Sequence, residues 1–113
     1  MNCLFCKVVD GDIPSNKVYE DDEVLAFRDI NPASPHHILI IPKKHISTMN
    51  DVTANDQLLL GKMMLVAKDI AAQEGVDDAG YRLTLNTNSE GGQSVYHIHL
   101  HLLAGRQMAW PPG

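Results

Sequence analysis

Apolar and polar residues alternate in several short segments of the chain, and this period of two is typical of β-strands. Five segments predict strands: 17–20, 24–29, 37–41, 81–87 and 96–104. The first two strands are joined through the acidic pair Asp21 and Asp22, which predicts a hairpin. The third is rich in β-branched residues and closes at Pro42.

One longer segment, 53–74, repeats its apolar positions with the period of a helix. The apolar residues at helical spacing are Leu58, Leu59, Met63, Val66, Ala67 and Ile70. Residues 53–56 supply N-cap chemistry, and Gly75 provides a stop. Residues 4–10 are too short to stand alone as a helix. Because one helix interrupts strands whose other connections are short, the pattern predicts an α+β fold with an antiparallel sheet.

Length and composition restrict the class of protein further. A chain of 113 residues fits one domain, 1–113, and its 44% apolar and 20% charged residues are ordinary for a globular protein. The net charge is -5, and no basic run is longer than Lys43-Lys44, so we expect no nucleic-acid partner. No apolar stretch approaches the ~18 residues of a membrane span, so we expect no membrane contact and a cytoplasmic location.

Residues 97–103 read His-Ile-His-Leu-His-Leu-Leu and carry the most informative pattern in the chain. On a strand, alternate side chains share a face, so His97, His99 and His101 point one way while the apolar residues between them enter the core. Solvent-facing strand positions normally carry Thr, Lys or Glu, which argues against a purely structural row. From the residues alone two interpretations stay open. The row is a metal site, or it holds an unprotonated nucleophilic imidazole beside a protonated one that binds an oxyanion.

A glycine loop lies just before the histidine row. Residues 91–94 read Gly-Gly-Gln-Ser, and backbone N–H groups of such a loop can approach phosphate oxygens. The hydroxyl of Ser94 is expected close to the histidine face. A Gly-Gly pair is usually only a turn, but beside three histidines it favours a phosphate-bearing ligand.

The row resembles the His-φ-His-φ-His-φ-φ signature (φ apolar) of the histidine triad family. Further segments similar to that family are 27–30, 37–42, residue 86, 91–94, 105–108 and 110–113. The ending resembles the nucleotide-binding branch, whose members hydrolyse purine nucleoside phosphoramidates. The resemblance implies the HIT fold, a five-stranded antiparallel sheet with one long helix and a short N-terminal helix. It also implies a homodimer paired through this sheet and helix, in which the C-terminal tail of one subunit approaches the active site of the other.

The resemblance implies catalytic roles for five residues. His99, the middle histidine, would be the nucleophile that cleaves the P–N bond and forms a transient nucleotidyl-histidine. His101 would contact phosphate oxygens and the leaving group, while His37 and His97 would orient and polarise the row. Ser94 would hydrogen-bond near the leaving nitrogen. Related transferases carry Gln where this chain has His101, so hydrolysis is expected, with no cofactor required for catalysis.

A second set of residues is implied to bind the substrate, a purine nucleotide of the AMP or GMP type. Asp29 would accept from both ribose hydroxyls, as a carboxylate can. Asn86 would support the phosphate loop that includes Gly92 and Gln93. The apolar cleft for the base would be lined by Phe5, Val8, Phe27, Ile30 and Leu39. Taken singly, these apolar side chains are more typical of core packing.

Cys3 and Cys6 have the spacing of half a tetrahedral zinc site. Some bacterial members of the family resemble this chain in carrying the pair together with a histidine equivalent to His45. By that resemblance these three residues and His97 would bind one zinc ion. Such zinc would be structural, because four protein ligands leave no open position. The alternative is a pair of thiols without metal.

Two further hypotheses remain beside the phosphoramidase. The same nucleophile would serve a dinucleoside polyphosphate hydrolase. A nucleotide-binding or zinc-binding interaction module, in which turnover is incidental, belongs to a different class of protein.

Overall fold

The structure is a computed structural model that describes residues 3–113. Its helices and strands are α1 (Leu4–Asp10), β1 (Lys17–Glu20), β2 (Val24–Arg28), β3 (His36–Pro42), α2 (Gln57–Gln73), β4 (Tyr81–Thr84) and β5 (Leu100–Ala104). The strands form one antiparallel sheet in the order β1-β2-β3-β5-β4. This confirms the predicted α+β fold with one long helix and a short N-terminal helix. Between residues 3 and 113, no helix is long and apolar enough to cross a membrane.

Helix α2 covers one face of the sheet. Its buried side chains follow the helical period and pack on sheet residues such as Ile38, Ile40 and Leu102. They are Met63, Val66, Ala67, Ile70 and Ala71. The helical spacing places Leu58 on the apolar face that packs on the sheet, and this prediction is wrong, because Leu58 is 88% exposed. Leu58 lies about 100° around the helix from its partly buried neighbour Leu59.

Helix α1 covers the opposite face. It contributes Phe5 and Val8 to a second buried cluster. The sheet residues of this cluster are Leu25, Phe27, Leu39 and Ile41. Because both faces are covered, β2 and β3 are buried along nearly their whole length instead of alternating between core and solvent.

The predicted fifth strand is shorter than expected and begins at Leu100. Its neighbour β3 ends at Pro42, whose nitrogen has no hydrogen to donate to a longer ladder. Before Leu100 the chain is held by a backbone hydrogen bond in which Ile98 N–H donates to Ile46 O at 2.8 Å. The first two histidines of the row therefore precede the regular strand. The predicted fourth strand also ends early, at Thr84.

Candidate active site

The three histidines of the row lie on the face of the sheet that α1 covers. The apolar residues between them enter the core on the α2 side, as the alternation predicts. The row does not occupy solvent-facing positions of the sheet, because His97 is 0% and His99 5% exposed. The ring of Phe5 makes an edge-to-face contact with His99, with centroids 5.1 Å apart and an angle of 87°. The row is thus a buried polar array beneath a short helix.

His99 has a single tautomer in its neutral form. Its Nδ1 lies 2.8 Å from the carbonyl oxygen of His97, and because a carbonyl only accepts, Nδ1 carries the hydrogen. The lone pair is then on Nε2. Burial lowers the pKa of His99 below its ordinary value, although the carbonyl contact and the charge of Asp29 act in the opposite direction. His99 is therefore an unprotonated imidazole at neutral pH, which is the nucleophilic form.

A chain of hydrogen bonds fixes the tautomer of His101. The Ala33 N–H donates to His37 Nδ1 at 2.9 Å, so a neutral His37 carries its hydrogen on Nε2. That nitrogen lies 2.8 Å from His101 Nδ1 and donates to it, which leaves the hydrogen of a neutral His101 on Nε2. Burial and the charges of His99 and His37 lower the pKa of His101 to about 4. The predicted protonated partner is therefore wrong, and His101 is an uncharged donor.

Two buried side-chain polar atoms within residues 3–113 have no hydrogen-bond partner, His101 Nε2 and Ser15 Oγ. Buried polar groups in folded proteins are nearly always satisfied, so each exception needs a reason. Both residues line the same cleft. Both atoms are therefore positioned where a polar group of a ligand in this cleft could contact them.

The cleft has a volume of about 320 Å³, and two histidines of the row, His99 and His101, line it. Nine of the predicted site residues line it: Phe5, Val8, Phe27, Asp29, Ile30, Leu39, Ser94, His99 and His101. Ile30 is 90% exposed and forms part of the rim rather than of the apolar wall. The lining of the cleft also includes residues that the sequence analysis did not identify: Leu4, Ile13, Pro14, Ser15, Arg28, Asn31 and Val95. Several of these are direct neighbours in sequence of predicted residues, and this adjacency is the feature by which they could have been found.

Asp29 is presented to the cleft just beyond the end of β2. One carboxylate oxygen accepts from the Asn31 N–H at 2.9 Å, and the other lies 3.5 Å from His37 Nε2. The side chain is 21% exposed, so the carboxylate is oriented by the protein but still reachable by a ligand. An ionised carboxylate with remaining acceptor positions is suited to bind hydroxyl groups.

The glycine loop supports the cleft from outside. The Gln93 side-chain amide donates to Ser47 O at 2.7 Å and accepts from Asn88 N–H at 2.9 Å, which holds the loop against its neighbours. Gly92 has φ of 84°, a left-handed conformation that favours glycine. Gly92, Gln93 and Asn86 do not line the cleft, and their predicted contacts with the nucleotide stay predictions.

A second cluster brings Cys3, Cys6, His45 and His97 together, with their donor atoms within 4.8 Å of one another. Cys3 Sγ lies 3.3 Å from His97 Nδ1, and Cys6 Sγ lies 3.4 Å from His45 Nδ1. The two Nδ1 atoms are 3.3 Å apart. A tetrahedral zinc ion with ordinary bond lengths requires about 3.3 Å between nitrogens and about 3.6 Å between nitrogen and sulfur. The four residues therefore fit a tetrahedral metal ion.

The hydrogen bonds around this cluster favour metal binding. His97 Nε2 lies 2.7 Å from the carbonyl oxygen of Pro42 and must carry the hydrogen, so the lone pair on Nδ1 faces the sulfurs. Burial raises the pKa of the Cys6 thiol to about 11, so only a bound cation would make it a thiolate at neutral pH. His97 is thus turned towards the cysteines, and within residues 3–113 no metal-binding group combines the three histidines of the row.

Comparison with known proteins places this geometry in a wider set. The family model of the HIT domain matches residues 10–108. A purine nucleoside phosphoramidase from Escherichia coli strain K12 is 56% identical over 105 residues, which are 93% of this chain and 88% of that protein. A 14 kDa zinc-binding protein from Zea mays is 54% identical over 112 residues, which are 97% of this chain and 87% of that protein. The crystal structure of a HIT family hydrolase from Legionella pneumophila Philadelphia 1 has a TM-score of 0.97 at 61% identity, covering 99% of this chain and 100% of that one.

Proposed function

The chain belongs to the HIT family, and from this premise we propose that it hydrolyses the P–N bond of purine nucleoside 5'-phosphoramidates. One observation carries the proposal: the cleft joins a neutral His99 of defined tautomer to a buried His101 donor that lacks a protein partner. A nucleophile and an adjacent donor for developing negative charge are the two components of phosphoryl transfer without a catalytic metal. The phosphoramidase relative supports the substrate class.

The reaction proceeds in two steps. His99 Nε2 attacks phosphorus, the P–N bond breaks with its electron pair on nitrogen, and the leaving amine, beside Ser94, takes up a proton from solvent. His101 Nε2–H donates to the phosphoryl oxygen on which charge develops. Water then attacks the nucleotidyl-histidine, the P–N bond to His99 breaks, and a proton returns to solvent. The products are an amine and a nucleoside monophosphate.

The remaining walls of the cleft suit the nucleoside part of the substrate. Phe5, Val8 and Phe27 offer apolar surface for a planar base, and Phe5 and Phe27 meet edge to face with centroids 5.5 Å apart. Asp29 accepts from the ribose hydroxyls. Ser94 lies at the mouth, where it contacts the leaving group.

The test is a comparison of His99→Ala with the parent protein and with a control, His36→Gln, on an adenosine phosphoramidate. His36 lies in the sheet but contacts Glu74 instead of lining the cleft. We expect His99→Ala to lose several orders of magnitude in turnover while still binding AMP, and the control to stay near the parent rate. Near parental turnover by His99→Ala would refute the nucleophile.

Two further measurements separate the alternatives. Rapid acid quench during turnover should trap nucleotide on His99, identifiable by mass spectrometry. Activity should survive brief treatment with a chelator, whereas a hydrolase with a catalytic metal would lose activity and regain it on adding metal. A dinucleoside polyphosphate tested beside the phosphoramidate distinguishes the other hydrolase, which would prefer the phosphoanhydride.

The Cys/His cluster can hold a metal ion, and we propose that this ion is a structural zinc, supported by the four-donor set and by the zinc-binding relative. The cysteines contact histidines in a metal-ligand arrangement, which is in keeping with a reducing, cytoplasmic location. Cell fractionation tests that location. One zinc per chain is expected on elemental analysis of protein purified without added metal.

We also propose a homodimer of single-domain chains. Both hydrophobic clusters of each chain are built on one sheet, which supports a single domain. Within residues 3–113, β4 is an edge strand of that sheet, and α2 exposes Leu58, Met64 and Leu65. The tail residue Trp110 is 82% exposed and is placed against the partner's active site in this proposal. Sedimentation at twice the chain mass of 12.5 kDa would support the dimer, and a monomer would refute it.

A further inference from the structure

Helix α1 belongs to both functional clusters of the protein. Its first turn carries Cys3 and Cys6, and Cys3 caps the helix by accepting from the Cys6 N–H at 3.3 Å. Phe5 lies between the two cysteines in the sequence and lines the cleft together with Val8. Two of the four metal ligands and two residues of the apolar wall are therefore carried by one short helix and its N-cap.

A helix of this length depends on its anchors. Isolated helices shorter than about 12 residues are marginal in water, and α1 has 7 residues. Its first turn packs on the sheet through Phe5 and meets His45 and His97, in the segments after β3 and before β5, through sulfur–imidazole contacts of 3.3 to 3.6 Å, which as hydrogen bonds are weak. Metal–ligand bonds to His45 and His97 would make this second connection a fixed one.

Phe5 connects this anchor to the reacting end of the cleft. Its ring contacts three others edge to face: His99 at 5.1 Å, His97 at 6.1 Å and Phe27 at 5.5 Å between centroids. A shift of α1 would move the Phe5 ring relative to the base site. Asp29, Ser94 and His101 lie outside α1, so the ribose and phosphate contacts do not depend on this helix in the same way.

We propose that the Cys3–Cys6–His45–His97 centre positions the base-binding wall, so that metal and purine base bind cooperatively through Phe5. This inference rests on the nucleotide site of the proposed function. Coupling is reciprocal: if Zn²⁺ raises the affinity for AMP by a given factor, AMP raises the affinity for Zn²⁺ by the same factor. Two independent measurements therefore have to agree.

A second route from metal to substrate exists and makes a different prediction. His97 would be a metal ligand, and its carbonyl accepts from His99 Nδ1, so coupling by this route would act on the phosphate end of the substrate. Ribose 5-phosphate separates the two routes, because it retains the phosphate and ribose but has no base. Coupling through α1 requires an effect on AMP and none on ribose 5-phosphate.

The experiment measures Zn²⁺ affinity of the folded, metal-loaded protein by competition with a chromophoric chelator. It is done alone, with saturating AMP and with saturating ribose 5-phosphate. We expect AMP to tighten Zn²⁺ binding by about fivefold or more and ribose 5-phosphate to leave it unchanged. Calorimetric titration of AMP into Zn²⁺-loaded and metal-free protein should give the same factor, with circular dichroism confirming that the metal-free chain is folded.

Two variants locate the connection. Phe5→Leu should keep Zn²⁺ affinity in the absence of nucleotide but lose most of the AMP effect. Lys7→Ala changes an exposed residue of α1 outside the cleft and should retain the effect. Equal Zn²⁺ affinity with and without AMP, an equal effect of ribose 5-phosphate, or full coupling in Phe5→Leu would each overturn the inference while leaving the phosphoramidase intact. Failure of AMP to bind either form would overturn the proposed function as well.

Discussion

The hydrogen-bond chain from Ala33 through His37 to His101 leads to a testable prediction about catalysis. His37 does not line the cleft, so in the proposed mechanism it acts by holding the His101 hydrogen on Nε2, the nitrogen that would donate to substrate. His37→Leu removes the donor to His101 Nδ1. His37→Gln keeps a side-chain N–H at a similar distance along the side chain and is the matched conservative variant.

The size of the effect follows from the burial of His101. In His37→Leu, keeping the hydrogen on Nε2 leaves the buried Nδ1 acceptor without a partner, which costs about 1 to 3 kcal/mol. Each 1.36 kcal/mol changes a rate tenfold, so turnover should fall by roughly 5- to 160-fold. The fall in turnover cannot exceed the effect of removing the His101 donor itself. We expect that effect, about 100- to 1,000-fold in turnover, in His101→Leu.

Single-turnover kinetics of five proteins test this reasoning: the parent, His37→Leu, His37→Gln, His101→Leu and the double variant His37→Leu with His101→Leu. If His37 acts through His101, the double variant is no slower than His101→Leu alone. His37→Gln should recover most of the rate, and AMP affinity should change little in any variant. Additive losses in the double variant, or equal rates for the Leu and Gln variants, would refute the positioning role.

Three other predictions concern ribose, base and pH. Asp29 should give the parent a preference for ribose over 2'-deoxyribose substrates of about 1 to 3 kcal/mol in kcat/KM, and Asp29→Ala should abolish it; equal efficiency of the parent on both sugars would contradict this. Ser15→Ala should raise KM for a purine substrate by roughly 2- to 10-fold without changing kcat, since the buried hydroxyl lacks a protein partner; an unchanged KM would show that it does not reach substrate. Because burial lowers the pKa of His101 to about 4, the unfolded chain takes up its proton first as pH falls below about 6.5. The free energy of unfolding, measured in urea, should therefore decline from pH 6.5 towards pH 4, with a shallower decline in His101→Leu.

The α2 side of the protein could be predicted from local pattern. Helix periodicity identified Met63, Val66, Ala67 and Ile70, and strand alternation identified the apolar residues that separate the histidines. Leu58 is the exception. It is apolar, but it lies one position, and so about 100° around the helix, from the buried face, and spacing that is off by one residue predicts the wrong face. The predicted strands 81–87 and 96–104 are longer than β4 and β5, because pairing stops where a neighbouring strand stops, and this is not visible in the local sequence.

The cleft was only partly predictable, because its hydrogen bonds depend on how separate segments meet. The amide of Ala33 reaches His37 only after the loop before β3 has closed, and no periodicity reports that contact. Ser15 had no distinguishing sequence feature, since an unpaired hydroxyl is recognised only once its surroundings are known. The exposure of the histidine row was misjudged for a similar reason, because α1 was too short to predict as a cover.

Burial by α1 also explains how one row of identical side chains can hold different roles. Desolvation lowers the pKa of His97, His99 and His101, so all three are neutral at physiological pH. Neutral imidazoles differ only in which nitrogen carries the hydrogen, and three separate contacts decide this: a carbonyl at Nε2 of His97, a carbonyl at Nδ1 of His99, and the His37 donor at Nδ1 of His101. In the proposed function these contacts suit the first ring to be a metal ligand, the second a nucleophile and the third a hydrogen-bond donor. If the row were exposed, each ring would titrate near its ordinary pKa and exchange tautomers in water. The three histidines would then be chemically equivalent, and their alternation in the sequence would not give them different roles.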